Sequence, residues 1–532
     1  MYVFLALFPI VLALILMTGF KFSPGKALPL ALIVTAATGL FFWHMDGLHL
    51  IAAIVLGVLK SLDIIIIVYS AVLLLNILKR TGAAQVINST FVSISPDRRI
   101  QTVIIAWIFS SFIEGAAGFG SAPALVAPLL AGLGFPVFTA CAVALIGNTL
   151  PVPFGAVGTP FLTLNSVLAP ELAQVGYNPE TFSKNLMSVF TDISLYAGCF
   201  LPFLMVCVLI CLSGRKNKIS SAIEIFPFCL LAGVVYFLPW KLTAVYLGPE
   251  LPSMAGAVCA LPVIVAAVKS GWRFFVPSEI WDFEDSVPAE IRQYRTGDLF
   301  KAWSSYMLIA FFLVLSRLPM LPVKEWLTAW KISTPFIFDI PGTSFQWALL
   351  YNPGVFPFLP VAFFALFCYR VPQNEYPAIF LASGKQVLMA AIAIASSFAI
   401  VQIMIFSNTP DFPGMLNVIA VSGAAVLGKA YIAAAPIVGV FGTFFAGSCT
   451  VSNILFGTIQ FNTAHIANLP EDIIVALQNV GGGIGSMIRI SGVVATCATV
   501  HAAGKEGKLI LLNLIPAGVM VILALIAALL LC

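Results

Sequence analysis

Long apolar runs separated by short polar breaks occupy almost the whole chain. Crossing the ~30 Å hydrocarbon layer of a bilayer takes roughly 20 apolar residues in a helix. Runs of this kind predict spanning helices over Tyr2–Phe20, Ala27–Phe42 and His49–Leu78, the last interrupted by Lys60 and Asp63. Further helices are expected to start near Ile100, Leu186, Ile223, Leu251, Phe300, Val355, Val387, Ala424 and Lys508. Two stretches, Gly115–Pro170 and Gly439–Gly492, are apolar but too rich in Gly and Pro for plain helices.

Composition leads to the same place. Of 532 residues 61% are hydrophobic and 9% charged, whereas a soluble domain carries roughly 25% charged residues to meet water. This excludes soluble enzymes, disordered chains and nucleic-acid binders, and the scattered net charge of +4 offers no phosphate-binding face. The expected fold is an all-α polytopic membrane protein with about 12, at most 14, transmembrane helices. The ten Cys lie mostly inside apolar runs without a CxxC pair, and the four His are dispersed. No metal site or cofactor is expected.

Basic residues orient the helices, because positive flanks stay in the cytoplasm. No basic residue precedes Tyr2–Phe20, whereas Lys21 and Lys26 follow it, so the N-terminus is expected outside. The segments holding Lys79, Arg80, Arg98 and Arg99, then Arg215, Lys216 and Lys218, then Lys269–Lys301 with five basic and six acidic residues, read as cytoplasmic. Pro170–Lys184, Trp240–Pro252 and Val323–Pro353 read as external, and the last helix, Leu509–Cys532, ends outside.

The two Gly-rich stretches resemble each other. The first runs Ser110-Ser-Phe-Ile-Glu-Gly-Ala-Ala-Gly-Phe-Gly-Ser-Ala-Pro123, then Ala144-Leu-Ile-Gly-Asn-Thr-Leu-Pro-Val-Pro-Phe-Gly155. The second runs Phe441-Gly-Thr-Phe-Phe-Ala-Gly-Ser-Cys-Thr-Val-Ser-Asn453, then Ala476-Leu-Gln-Asn-Val-Gly-Gly-Gly-Ile-Gly-Ser486. Each is a polar Gly-rich turn, an apolar stretch, Ala-Leu, an Asn and a second Gly-rich turn. A helix broken inside a bilayer exposes backbone groups that lipid cannot satisfy, so the break must face a polar cavity or protein. Its half-helices turn N-terminal dipoles toward anions, and paired breaks in two halves of a chain point to a transporter's binding site. Two inverted repeats with re-entrant or broken-helix elements are therefore expected. The expected organisation is N-terminal scaffold helices over 1–99, a first repeat core over 100–213, scaffold helices over 214–386, a second repeat core over 387–507 and a last helix over 508–532.

The run Glu114-Gly-Ala-Ala-Gly-Phe-Gly120, the motif Asn148-Thr-x-Pro-x-x-Phe-Gly155 and the segment Gly447-Ser-x-Thr-x-Ser-Asn-x-Leu-Phe-Gly457 resemble the bacterial lactate permease family, as does Gly504-Lys-Glu-Gly-Lys-Leu509 before a final apolar helix. The resemblance runs over essentially the whole chain. It implies proton-coupled uptake of lactate or glycolate across the bacterial inner membrane, and kinship with elevator-type transporters. The chain departs from the family pattern at Ser486, where members often carry Lys, and at Cys449, where many carry an acid. Arg489 follows three residues after Ser486.

An ionisable side chain at bilayer depth costs at least ~2.5 kcal/mol, which makes each one a functional candidate. Glu114, in the first Gly-rich turn, is the expected proton carrier, with Asp192 second. The alternative for Glu114 is bonding free N–H groups of the next half-helix, and for Asp192 a place near a helix end. Arg489 suits a carboxylate, being permanently charged and able to bind it bidentately; the alternative is a helix-end cation. Lys60 and Asp63 read as a scaffold ion pair, Lys385 and Lys429 as snorkelling cations. The expected substrate contacts are Gly118, Phe119, Gly120, Asn148, Thr149, Ser448, Thr450, Ser452, Asn453, Asn479 and Arg489.

These residues predict a secondary active transporter, monomer or homodimer, importing a small 2-hydroxy monocarboxylate, lactate or glycolate, by proton symport. The runner-up keeps the fold and carries a dicarboxylate or sulfonated carboxylate, with Na⁺ as possible coupling ion. A membrane-embedded enzyme would want clustered His, Asp and Glu, which four scattered His do not supply.

Overall fold

The computed structural model describes residues 2–531 apart from 19, 21, 93, 119–120, 213–217, 273–274, 276, 278, 284–293, 318–321, 341, 353, 409–412, 501 and 503–504. The chain begins with α1 (Tyr2–Thr18), α2 (Pro24–Phe41), α3 (Gly47–Arg80) and α4 (Ala83–Val92). α5 (Arg98–Gln101) continues through a π-helical stretch, Thr102–Phe109, into α6 (Ser110–Ala117). Next come α7 (Ser121–Gly132), α8 (Val137–Gly147), α9 (Gly155–Gln174), α10 (Pro179–Gly198) and α11 (Leu201–Leu212). The middle holds α12 (Lys218–Leu247), α13 (Pro252–Ser270), α14 (Thr296–Arg317), α15 (Val323–Ala329), the strands β1 (Ile332–Thr334) and β2 (Phe345–Trp347), α16 (Leu359–Cys368) and α17 (Tyr376–Phe406). The last part is α18 (Met415–Leu427), α19 (Tyr431–Ala446), α20 (Cys449–Ile466), α21 (Glu471–Gly485), α22 (Ile490–Thr499) and α23 (Glu506–Leu531).

Ten helical stretches among the described residues are long and apolar enough to cross a bilayer, by length and composition. Shorter apolar helices at Tyr2–Ala13, Ala122–Gly132, Val137–Gly147 and Gly354–Cys368 accompany them. The chain is thus a helical, multi-pass membrane protein. One departure from an all-α expectation is local: β1 and β2 pair antiparallel, Ile332 opposite Trp347, within the segment read as an external loop.

Several helices begin where short polar side chains cap them. Asp46 accepts from the backbone N–H of Leu48 and His49 at the start of α3, and Asn178 accepts from Glu180 and Thr181 ahead of α10, with Pro179 at the first helical position. Other boundaries differ from expectation. α17 starts at Tyr376 rather than near Val387, crosses the expected boundary at 386/387 and packs along α3 and α2, because exposed Lys385 does not interrupt a helix whose other face is buried. α18 starts at Met415 rather than near Ala424. α12 runs to Leu247, so Trp240–Pro252, read as an external segment, is largely helix, and Trp240 is fully buried. Its ring packs against Phe154, Phe190 and Phe237.

Both Gly-rich stretches fold as a helical hairpin followed by a broken helix. In the first, α6 and α7 form the hairpin and α8 breaks before α9. In the second, α19 and α20 form the hairpin and α21 breaks before α22. The hairpin tips carry Gly118 and Gly447, with φ of +58° and +70°. A Cβ at Gly118 would lie 2.6 Å from Ala156, and one at Gly447 2.6 Å from Ser491 Oγ. Each tip therefore touches the break of its own repeat, and only Gly meets both the left-handed backbone and the close approach. In the first break Ala156, Val157 and Gly158 have φ of 41°, 58° and 75°. Left-handed geometry strains β-branched Val157 by about 1–3 kcal/mol. Stacked aromatics hold the turn from behind, Phe154 lying 4.8 Å from Trp240 and 5.3 Å from Phe190 between ring centroids.

The two hairpins open at opposite ends of the α8–α9 pair. The first opens beside the start of α8, where Arg98 sits over the Phe135 ring at 5.5 Å. The second opens beside the end of α9, where His465 Nδ1 lies 2.9 Å and Tyr177 hydroxyl 3.4 Å from Glu471 Oε1. At the Arg98 end an ion network, buried at Asp97, Arg98 and Arg99 and partly exposed at Glu224 and Asp282, joins two segments read as cytoplasmic to the first turns of α12, which begins at Lys218. Arg99 binds Asp97 at 2.8 Å and Glu224 at 2.9 Å, and Arg98 binds Asp282 at 2.8 Å. Arg215 and Lys216, also assigned to that side, lie outside the described residues.

Candidate functional site: a buried cavity between two broken helices

The tips and breaks bring chain segments more than 300 residues apart into one place. Ser486 donates its hydroxyl to the Asn148 carbonyl at 3.0 Å. Asn453 Nδ2 donates to the Pro160 carbonyl at 3.1 Å and to Asn479 Oδ1 at 2.8 Å. A Cβ on Gly483 would lie 3.0 Å from Pro153, so the second repeat's helix rests directly on the first repeat's break.

Between these breaks lies a cavity lined by Glu114, Val152, Gly155, Ala156, Pro160, Ser448, Cys449, Thr450 and Arg489. Its two ionic groups, Glu114 and Arg489, are 1% and 3% exposed. Glu114 Oε2 accepts from Asn148 Nδ2 at 3.1 Å, and Asn148 Oδ1 accepts from Ser110 at 3.3 Å. Arg489 folds back across its own helix start, where a Cβ on Gly492 would lie 2.4 Å from its Nε. Among the described residues its Nε and Nη2 find no hydrogen-bond partner. Those two nitrogens form one edge of the guanidinium, the edge that takes a carboxylate through two parallel N–H···O bonds. Buried polar groups left unpaired are rare enough to require an explanation.

Helix N-termini surround the same space. Ser448, Cys449 and Thr450 are the cap and first positions of α20, and no side chain caps that end. Arg489 stands at the cap position of α22, and Pro160 in the first regular turn of α9 after its break. N-terminal N–H groups and the helix dipole favour an anion at such a point. The walls at Val152, Ala156 and Pro160 are apolar, while Ser448 and Thr450 offer hydroxyls. The space left there is about 10 Å³, room for one water at most. A larger cavity of about 270 Å³ lies on the other side of the Gly447–Ser448 tip, between it and Pro24, Val68 and Met389. Ser448 lines both spaces.

Of the residues singled out in the sequence, Glu114, Ser448, Thr450 and Arg489 line the cavity. Others stand behind it. Asn148 holds Glu114, and the Thr149 hydroxyl bonds the Ile146 carbonyl at the end of α8. Ser452 donates to the Gly439 carbonyl at 3.2 Å and accepts from Gln478 at 3.0 Å, and Asn453 and Asn479 bond each other. Gly118 is spent on the tip contact, and Phe119 and Gly120 lie outside the described residues. Asp192 is elsewhere: it pairs with Lys241 of α12 on a partly exposed flank. The expected Lys60–Asp63 pair falls on a side chain, Asp63, outside the described ones. The sequence reading missed the apolar walls, the buried Gln460–Gln478 bond at 3.0 Å and buried Glu250, whose neighbour Pro249 packs on Gly158. The Pro-rich run Pro151-Val-Pro-Phe154 was the available signal for the walls.

Comparison with known proteins identifies the family. The sequence profile of the L-lactate permease family matches residues 3–532. The L-lactate permease of Salmonella typhimurium is 27% identical, with 95% of this chain and 91% of that protein covered. The L-lactate permease of Bacillus subtilis is 29% identical over 83% of this chain and 80% of its own length. The glycolate permease GlcA of Escherichia coli is 27% identical over 95% and 91% respectively. Among solved structures, the Alcanivorax borkumensis YdaH transporter aligns with 79% of this chain and 87% of its own, at 12% identity and a TM-score of 0.30. The relatives are permeases, not enzymes, and this chain belongs to the L-lactate permease family.

Proposed function

We propose that the protein imports a small 2-hydroxy monocarboxylate, lactate or glycolate, together with a proton across the bacterial inner membrane. The observation that carries this reading is the unpartnered Nε–Nη2 edge of buried Arg489, in a cavity that also holds Glu114 and the uncapped start of α20. Arg489 binds the carboxylate, Ser448 and Thr450 meet the 2-hydroxyl, and Val152, Ala156 and Pro160 hold the carbon chain. Glu114, positioned by Asn148, takes the proton. A dicarboxylate would bring a second anion beside Glu114 with one cation in the lining, at several kcal/mol for the unpaired charge.

Substrate enters when the Gly447–Ser448 tip moves away from Arg489 and joins the inner space to the larger cavity. The paired hairpins support an elevator movement of the two breaks against α2, α3 and α17. The end bearing Arg98, Arg99 and Asp282 faces the cytoplasm and both termini face outward, as the convergence of the basic segments supports.

The test is uptake of labelled lactate, glycolate and succinate into proteoliposomes, with a pH gradient and a Na⁺ gradient imposed separately. Accumulation of lactate or glycolate under the pH gradient is expected. Accumulation of succinate in preference to both, or accumulation only under the Na⁺ gradient, would overturn the reading.

A further inference from the structure

We propose that Glu114 and the substrate's carboxylate are alternative counter-ions of one guanidinium, Arg489, so that the carrier crosses only with its site uncharged: Glu114 ionised when empty, Glu114 protonated when loaded. This rests on the reading above that the cargo is a monocarboxylate.

Among the described residues the cavity lining carries one cation, Arg489, and one carboxyl, Glu114, with the Cys449 thiol as its third titratable side chain. Among the described side chains, which leave out Asp63 of α3, the elements packed against α6 contribute no other charge to it. His49, Lys60, Tyr69, Lys79 and Arg80 on α3, Cys141 on α8, Glu171 on α9, and Cys259 and Lys269 on α13 do not line this space. The Ser121–Gly132 helix and the Val152–Phe154 turn carry no titratable side chain. The charge sum is therefore short. Arg489 with ionised Glu114 totals zero. Adding a carboxylate alone makes the site −1, and adding a proton alone makes it +1. Adding both returns it to zero. With Glu114 and Arg489 buried, the two charged states are the ones a low-dielectric interior penalises. Coupling then needs no relay: the substrate's carboxylate takes the Nε–Nη2 edge of Arg489 and its charge, and Glu114, left without a balancing cation, is neutralised by a proton from water.

Three behaviours follow. Transport is electroneutral, one proton per monocarboxylate. Glu114→Gln imitates the protonated form, so the loaded site is neutral and the empty site is +1. This variant exchanges substrate across the membrane but does not complete a net cycle. Arg489→Gln leaves the loaded site at −1 and loses exchange as well.

The experiment uses the full chain in proteoliposomes with labelled L-lactate and glycolate. Wild type is measured first for counterflow, and failure to exchange either acid removes the monocarboxylate reading itself. With wild-type counterflow established, Glu114→Gln is expected to keep counterflow within about threefold and to lose its pH dependence, while net uptake falls on the order of fifty-fold or more. Loss of counterflow in a variant that elutes and melts like wild type overturns the alternation, and so does retained net uptake. A wild-type measurement stands independent of any variant's folding. At a fixed pH gradient, a potassium diffusion potential of about 100 mV should leave the initial uptake rate unchanged. A rate that follows the potential shows that charge crosses with the substrate and overturns the proposal.

Discussion

Arg489→Lys tests the geometry of the site with its charge held constant. In the native site two nitrogens on one guanidinium edge, Nε and Nη2, have no partner among the described residues, and Nε, Cγ and Cδ of Arg489 pass so close to Gly492 that a Cβ there has no room. A carboxylate there accepts two parallel charge-assisted bonds. Lysine replaces the fork with a single ammonium on a flexible stem, so one of the two bonds is lost at equal net charge. A hydrogen bond to a charged group is worth about 1.5–3 kcal/mol. Substrate affinity should fall roughly 10- to 150-fold, since each 1.4 kcal/mol is tenfold. Stability should not follow, because Arg489 packs at the start of α22 and its free edge makes no protein bond that lysine would remove. Titration calorimetry of lactate and glycolate against purified protein measures the first quantity, and the melting temperature without substrate measures the second. A lysine variant that binds within threefold of wild type would refute the bidentate argument and return Arg489 to the role of a structural helix-end cation.

Gly492→Ala should weaken binding comparably while leaving every charge in place, because the new methyl displaces the guanidinium; unchanged affinity would show that Arg489 adapts freely. Asp192→Asn should leave the pH dependence of uptake within about twofold of wild type, since its pair with Lys241 is partly exposed and away from the cavity, and such pairs contribute little. Arg99→Ala strands Asp97, 4% exposed, without its cation. Breaking a buried pair this way costs about 3–5 kcal/mol, and a clear drop in melting temperature checks it. Cysteines placed in 269–301 should resist labelling from outside whole cells, and those in 323–353 should react; the reverse pattern would overturn the orientation.

Much of the architecture was legible in the sequence because the bilayer imposes a simple rule on composition and length. The apolar runs located most helices, and the order of the two Gly-rich stretches announced two tips and two breaks. Gly118 and Gly447 stand at those tips for a reason local to the backbone, a left-handed φ together with a close neighbour. Glu114 and Arg489 were marked as candidates by the cost of charge at that depth. Element starts were less legible where one face of a helix is polar, as at Lys385 on α17.

Tertiary structure alone decided which polar residues face the cavity and which are consumed by packing. Ser452, Asn453 and Asn479 looked as suited to a substrate as Ser448 and Thr450, being the same residue types on the same hairpin and its neighbour. Ser452 meets Gly439 and Gln478, and Asn453 Nδ2 meets Pro160 and Asn479 Oδ1 instead, while Asn453 Oδ1 and Asn479 Nδ2 find no partner among the described residues and do not line the cavity. Asp192 looked like a second coupling acid until α12 brought Lys241 beside it. Burial can be read from periodicity, because it follows from which face of a helix is apolar. The partner that satisfies a buried group cannot, because it arrives from another helix. Ser486 and Asn148 meet across 338 positions of sequence, and no local pattern encodes that meeting.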